Sequence, residues 1–239
     1  MSNSSTYRMR VKENFRMTDP ACQDEVVQLT LETKNRLAVQ TFQAGQYVRI
    51  AIPGLQDPAP GYFAIASSPE DSEAYEFFVK NSGALSQYLC NIQAGAELAI
   101  EGPMGKGFDL ESHKGCDVYL IGVGTGIAPL RSVWRHLIQH RSDYGKVHIY
   151  AGFLSSLHQL LTDELEELAD HNIEVSTTLE MGHDNWDGPI GYVQHALESD
   201  KPNSSNAIAC LAGMNVMVDA CTETLQQLGF DESRILLNY

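Results

Sequence analysis

From about residue 6 to residue 103 the apolar positions fall in short runs rich in β-branched and aromatic residues: YRMRV, EVVQLTLET, QYVRIAI, YFAIAS, YEFFV and ELAIEG. Turn formers separate these runs, among them Pro53-Gly54, Pro60-Gly61, Ser82-Gly83 and Gly95. That rhythm predicts an antiparallel barrel or sandwich, with one short helix from Leu85 to Ile92. After a glycine-containing stretch at 102–115 the period changes. CDVYLIGV reads as a continuous buried strand, and LRSVWRHLIQHR behind it carries apolar residues at helical spacing. VHIYAGF, IEVSTTL and AIACLAG read as further strands, with helical LTDELEELADH and YVQHALES between them, and VMVDACTETLQQLG and ILLNY close the chain. Strand and helix alternating at this interval indicate βαβ units in a doubly wound parallel sheet. The expected architecture is therefore two-domain: an antiparallel β-barrel over residues 1–110, then an α/β nucleotide domain with a doubly wound parallel sheet over residues 111–239.

Composition supports two cores, since 239 residues at 43% apolar content exceed what one ordinary core requires. Lys and Arg total 16 against 31 Asp and Glu, a formal charge of −15. Such a surface repels phosphate backbones and anionic membranes, so neither nucleic acid nor a bilayer is an expected partner. Arg8, Arg10 and Lys12 form the one dense basic cluster. The five cysteines, at 22, 90, 116, 210 and 221, show neither zinc-site nor iron–sulfur spacing, so no metal is implied. MSNSSTYRMRVKENF has no apolar signal region and no membrane span is visible, which leads to the expectation of a cytoplasmic protein. The eight histidines show no partner pattern and read mostly as surface residues.

Candidate chemistry begins at Gly122-Val123-Gly124-Thr125-Gly126-Ile127-Ala128-Pro129, between a strand and a helix. Glycines at such a turn let a pyrophosphate approach the backbone, and the helix start supplies free N–H groups and a positive dipole end. Gly124, Thr125 and Gly126 are the expected phosphate contacts. The spacing is GxGxG, not the GxGxxG of dehydrogenases.

GVGTGIAPLRS resembles the NAD(P)H-pyrophosphate loop of the ferredoxin-NADP reductase superfamily, in which a flavin-binding barrel precedes a nicotinamide-nucleotide domain. GQYVRI, YFAIASSP, VKNSGALSQYL, GPMGKGF and GYVQ extend the likeness along almost the whole chain. The resemblance implies an FAD site at Tyr62, Phe63, Ala64, Ile65, Ala66, Ser67, Val79, Lys80, Gly83, Ala84, Leu85 and Ser86. It also implies nicotinamide contacts from Ala212, Gly213 and Met217, and a flavin-covering aromatic gate at Tyr239. The family's RxYS element is altered: Gly61 stands at its arginine, Phe63 at its tyrosine and Ala64 at its serine. Losing one charge-assisted phosphate contact costs about 1.5–3 kcal/mol. Lys80, or backbone amides at 65–67, are candidates to compensate, although Lys80 reads better as a solvated strand-end residue. Ala212 occupies the position of the family's cysteine, and Cys210 is expected on the same strand face one step deeper.

The implied activity is hydride transfer from NAD(P)H to FAD and passage of electrons to a separate, unidentified acceptor. It requires orientation of two cofactors and no protein nucleophile. NADH is favoured over NADPH, because 152–158 contains no Arg or Lys to meet a 2′-phosphate. The altered element keeps two alternatives open: a redox-inactive nucleotide-binding regulatory or interaction subunit, and a free-flavin reductase.

Overall fold

The computed structural model describes residues 6–33, 39–183 and 185–238. Its first half contains β1 (Thr6–Arg16), β2 (Val26–Thr33), β3 (Tyr47–Ala51), β4 (Gly61–Ala64), β5 (Ala74–Lys80) and β6 (Glu97–Met104), with helix α1 (Ala84–Asn91) between β5 and β6. The six strands run in the order β4-β3-β6-β1-β2-β5, each pair antiparallel. Just beyond β4 the Ala66 N–H donates to the Glu76 carbonyl at 2.8 Å, which brings the two edge strands together and curls the sheet into a barrel. Alternation fills its interior: Met9, Leu29, Val48, Ile50, Leu98 and Ile100 are fully buried. β2 is buried on both faces. Its outer face, with Val26, and the outer face of β5, with Phe78, pack against the second half of the chain.

That second half is β7 (Asp117–Val123), α2 (Ile127–Gln139), β8 (Val147–Phe153), α3 (Thr162–Glu167), β9 (Glu174–Leu179), α4 (Val193–Asp200), β10 (Ala207–Ala212), α5 (Asn215–Gln227) and β11 (Ile235–Leu237). The five strands are parallel, in the order β11-β10-β7-β8-β9. Residues of α2 and α3 pack on the sheet face that meets the barrel, and those of α4 and α5 cover the other. Connections reverse direction at β7, so the switch point of the sheet lies between β7 and β10, where doubly wound folds open a crevice beyond the strand ends. No helix among the described residues is long and apolar enough to cross a membrane.

The two sheets share a seam. Val26, Ala44, Ala66, Phe78, Phe108 and Leu110 belong to the same apolar cluster as Trp134 and Leu137 of α2. Through that cluster runs Arg131, its side chain only 7% exposed. Arg131 Nη1 donates to Glu76 Oε2 at 2.5 Å, and its Nε to both Glu164 oxygens at 2.9 and 3.0 Å. Arg135 adds a second bond to Glu76 at 2.9 Å, and the Trp134 indole N–H holds Glu164 at 2.9 Å. The guanidinium also lies 5.7 Å from the Phe78 ring centre.

One histidine departs from the surface reading. β8 is covered on both faces, so His148 is buried, stacked on Tyr150 at 4.2 Å and bonded to Ser176 at 2.8 Å. Burial pushes its pKa below the ordinary imidazole value. His136 and His140, four residues apart at the end of α2, converge on Glu70.

A buried charge deprived of its partner is costly. Arg131→Met is therefore expected to lower the unfolding free energy by about 3–5 kcal/mol, through the carboxylates it strands. Urea denaturation of both chains measures the difference, and a loss below ~1 kcal/mol contradicts this role for Arg131.

Candidate functional site

At the switch point β7 ends on Val123 and the chain turns through Gly124–Gly126 into α2. The three glycines of this turn have different physical reasons. Gly124 has φ +51°, the left-handed region, and a Cβ there would face open space. Gly122 lies against Leu130, whose Cδ1 would be 2.6 Å from an added Cβ. Gly126 is helical, and an added Cβ would sit 2.7 Å from the Ala212 carbonyl oxygen and 2.8 Å from Gly213 Cα. So the loops after β7 and β10 touch backbone to backbone, and only Gly124 leaves its space to the crevice. The turn continues into the helix, the Ile127 N–H donating to the Gly124 and Thr125 carbonyls, so the N–H groups that precede all helical bonding are those of the Gly124–Gly126 turn itself, at the positive end of the α2 dipole.

The loop after β10 corrects one expectation. Met217 points inward beneath Gly213, buried, its sulfur accepting from the Cys221 thiol at 3.5 Å. Met214, which caps α5 and lies outside its apolar stripe, is exposed and lines the crevice instead. Ala212 is buried against Gly126. Cys210 lies deeper on the same sheet face, and burial holds its thiol far above the ordinary range. This crevice, about 420 Å³, is bordered by Gly124, Thr125, Phe153, Glu180 and Met214, and by Asp24 and Lys80 of the barrel.

A second cleft, about 590 Å³, opens on the barrel side, lined by Tyr62, Phe63, Ala64, Lys80, residues 82–86 and Thr125. In the β3–β4 register Gly61 pairs with Ile50 and Phe63 with Val48, so both share the core-facing side, while Tyr62 and Ala64 take the other. Phe63 is accordingly half-buried at the edge of the barrel core. Tyr62 is 65% exposed and meets Tyr47 edge-on at 5.7 Å. A Cβ on Gly61 would lie 2.9 Å from Leu85 Cδ2 and 3.2 Å from the Phe63 ring. The space a longer side chain would start from is thus filled by Leu85 and Phe63.

Four expected flavin contacts line neither cleft, and of the expected nucleotide contacts Gly126, Ala212, Gly213 and Met217 line neither as well. Ile65, Ala66, Ser67 and Val79 are fully buried in the barrel. Two of the three amides expected to replace a lost donor are already used: Ile65 N–H donates to the Gln46 carbonyl at 3.0 Å and Ala66 N–H to that of Glu76. Ser67 Oγ accepts from the Glu76 N–H at 3.3 Å. The end of β4 has to pair with β5 to close the barrel, and that requirement takes these groups.

At the start of α1, Ser86 Oγ accepts from the Ser82 and Gly83 N–H groups at 3.0 and 2.9 Å, a capping contact. The first helical bond is Gln87 N–H to the Gly83 carbonyl at 2.8 Å, so Ala84 and Leu85 present N–H groups without helical partners. Gly83 is extended, at φ −176°, and an added Cβ would meet nothing. Neither backbone nor packing demands glycine there, so the space it leaves belongs to the cleft. Open backbone at Gly83 beside free helix-start donors fits an anionic diphosphate.

Lys80 is neither a free strand-end residue nor an unengaged cation. Its Nζ binds Asp24 Oδ2 at 3.0 Å, and this lysine holds the Asp24 carboxyl below the usual carboxylate range. His158 Nε2 stands 3.7 Å from the same oxygen, while its Nδ1 is bonded to Ser155 Oγ at 2.8 Å. Lys80 and Thr125 border both clefts. The chain end is tied to the barrel by Asn238 Nδ2 donating to the Gly45 carbonyl at 3.1 Å, and Tyr239 lies outside the described residues.

Two family models match the chain in succession. The family model of the oxidoreductase FAD-binding domain matches residues 19–108, and that of the oxidoreductase NAD-binding domain residues 120–223. The γ subunit of sulfhydrogenase 1 from Pyrococcus furiosus is 25% identical over 99% of this chain and 81% of that protein. A ferredoxin–NADP reductase from Spirulina sp is 32% identical over 57% of this chain and 52% of its own length, so the chain spans about half of that relative. The solved ferredoxin reductase in carbazole 1,9a-dioxygenase has TM-score 0.83 at 23% identity, covering 98% of this chain and 69% of that one. The chain belongs to the ferredoxin-NADP reductase superfamily of flavin oxidoreductases, with an FAD-binding and an NAD-binding domain.

Two glycine substitutions separate packing from cleft. Gly126→Ala is expected to force the β7 and β10 loops apart and destabilise by about 1–3 kcal/mol. Gly83→Ala, with extended backbone and open space, is expected to change stability by less than ~0.5 kcal/mol. Thermal unfolding of the two variants reads the contrast.

Proposed function

We propose that this chain is an NAD(P)H-dependent flavin oxidoreductase that holds FAD at α1 and the nicotinamide nucleotide at the Gly124–Gly126 turn. Electrons then leave to a separate acceptor. The observation that carries this reading is the junction: the two clefts share Lys80 and Thr125, so ligands in both would meet there. Bound together, the cofactors supply hydride transfer and its division into single electrons. The chain supplies position. Ala84 and Leu85 present N–H groups toward the diphosphate of FAD, Gly83 leaves it room, and Tyr62 and Phe63 offer aromatic surface to its ring system. Gly124 and the start of α2 receive the pyrophosphate of the nucleotide, with Ala212 and Gly213 fixing the loop beside it and Met214 at the rim.

NADH is the favoured donor. Glu180 and Asp24 border the nucleotide crevice, and 152–158 adds no Arg or Lys. Carboxylates accept bonds from a ribose diol and repel a 2′-phosphate. A protein acceptor is supported by the relative that matches along 99% of the chain, itself named as a subunit. The same cleft also favours a second reading, in which flavin is a loosely held substrate: Lys80 is the one cation among its described lining residues, and it is paired with Asp24.

Protein purified without added flavin is expected to show flavin absorption bands that bleach on anaerobic addition of NADH. Colourless protein that gains no bands when FAD is supplied overturns the proposal. Flavin lost on gel filtration, with NADH-driven reduction of added FMN, selects the second reading. Asp24→Asn releases Lys80 toward the diphosphate and is expected to tighten FAD binding roughly tenfold, the worth of one charge-assisted bond, as read by fluorescence titration.

A further inference from the structure

We propose that Glu70, His136 and His140 form a binding site for a divalent transition-metal ion of the zinc class at the seam between the two domains. The site is separate from the two clefts and does not rest on flavin binding. Glu70 comes from the loop between β4 and β5, His136 from the last turn of α2, and His140 from the residue that closes that helix. Four-residue spacing puts both imidazoles on one helix face, their ring centres 4.5 Å apart. Glu70 Oε1 is 2.5 Å from His136 Nδ1 and 3.3 Å from His140 Nε2. One ligand atom from each residue lies within 4.8 Å of the other two, the one such group among the described residues.

Two imidazole nitrogens and a carboxylate are the donors such ions take. With bonds of ~2.0–2.1 Å, neighbouring corners of a tetrahedron are roughly 3.3 Å apart, which is the present Glu70–His140 separation. The ion requires the His136–Glu70 hydrogen bond to lengthen by roughly 0.8 Å. The other Glu70 oxygen is held by the Ser68 hydroxyl, which donates to Oε2 at 2.5 Å and itself accepts from Gln139 Nε2 at 3.3 Å. That outer contact turns Oε1 toward the imidazoles, as the supporting bonds of a metal-ligating carboxylate do. The His136 side chain is 13% exposed and that of His140 40%, so one ligand is shielded and the other faces the entry path. Three protein ligands leave a fourth position for water. Since Glu70 belongs to the barrel and the histidines to α2, the ion would cross-link the domains along the helix that carries Arg131.

The test is a cobalt titration of chelator-treated full-length protein followed by visible absorption, with zinc added in competition. A single cobalt ion per chain is expected, displaced by zinc, without the near-ultraviolet band of a cobalt thiolate. His140→Ala and Glu70→Gln should each weaken binding on the order of tenfold or more, while His171→Ala, away from the cluster, leaves it unchanged. Zinc should raise the Tm of the parent chain and not that of His140→Ala. Circular dichroism identifies any variant that fails to fold, and the other then carries the comparison. No saturable binding, a thiolate band, or affinity unchanged in the folded variants, meaning adventitious ions only, would overturn the proposal.

Discussion

The relation between the two clefts depends on one buried guanidinium. Arg131 stands one turn into α2, the helix whose start faces the nucleotide crevice, and it grips Glu76 of β5 and Glu164 of α3 together. Apolar contacts at the seam, such as Phe78, Leu110 and Trp134, favour burial without fixing how one surface is rotated on the other. A planar fork with two anchored carboxylates does fix it. Its cost is the desolvation of several charges, which a purely apolar seam would avoid. The gain is geometric: Glu76 also closes the barrel through Ala66, so the residue that seals the flavin-side domain also orients the nucleotide-side helix. Thr125 can then border both clefts.

Much of this fold is legible in the order of residues because it rests on local periodicity. Period-two runs became β1–β6, and the buried run CDVYLIGV followed by helical spacing became β7 and α2. Positions whose role depends on distant chain were harder. Gly122, Gly124 and Gly126 look equivalent along the sequence, yet Leu130, an open crevice and the Ala212–Gly213 backbone give them different reasons. Ile65–Ala66 lay within a recognisable flavin element, but barrel closure, a contact with β5, had already used their amides. For Met214 and Met217 a local signal existed: Met214 is the helix cap and Met217 falls inside the apolar stripe of α5. His136 and His140 show their four-residue spacing openly, while their carboxylate lies 66 residues away from the first of them, beyond the reach of any local pattern.

The altered RxYS element has its physical cause in the same neighbourhood. A Cβ added at Gly61 would meet the end of the Leu85 side chain and the Phe63 ring, so glycine there and leucine and phenylalanine around it are one packing solution. Charge has to be supplied in another way. In a chain carrying −15, mobile cations near a diphosphate are readily claimed by carboxylates, as Asp24 claims Lys80. Backbone N–H groups at a helix start cannot be claimed in that manner, because the helix fixes their direction and leaves them without internal partners. Both clefts open onto such groups, the start of α1 on one side and the Gly124–Gly126 turn ahead of α2 on the other. An acidic protein can therefore hold two anionic nucleotides by oriented amides, with its single shared lysine adjusting the balance between them.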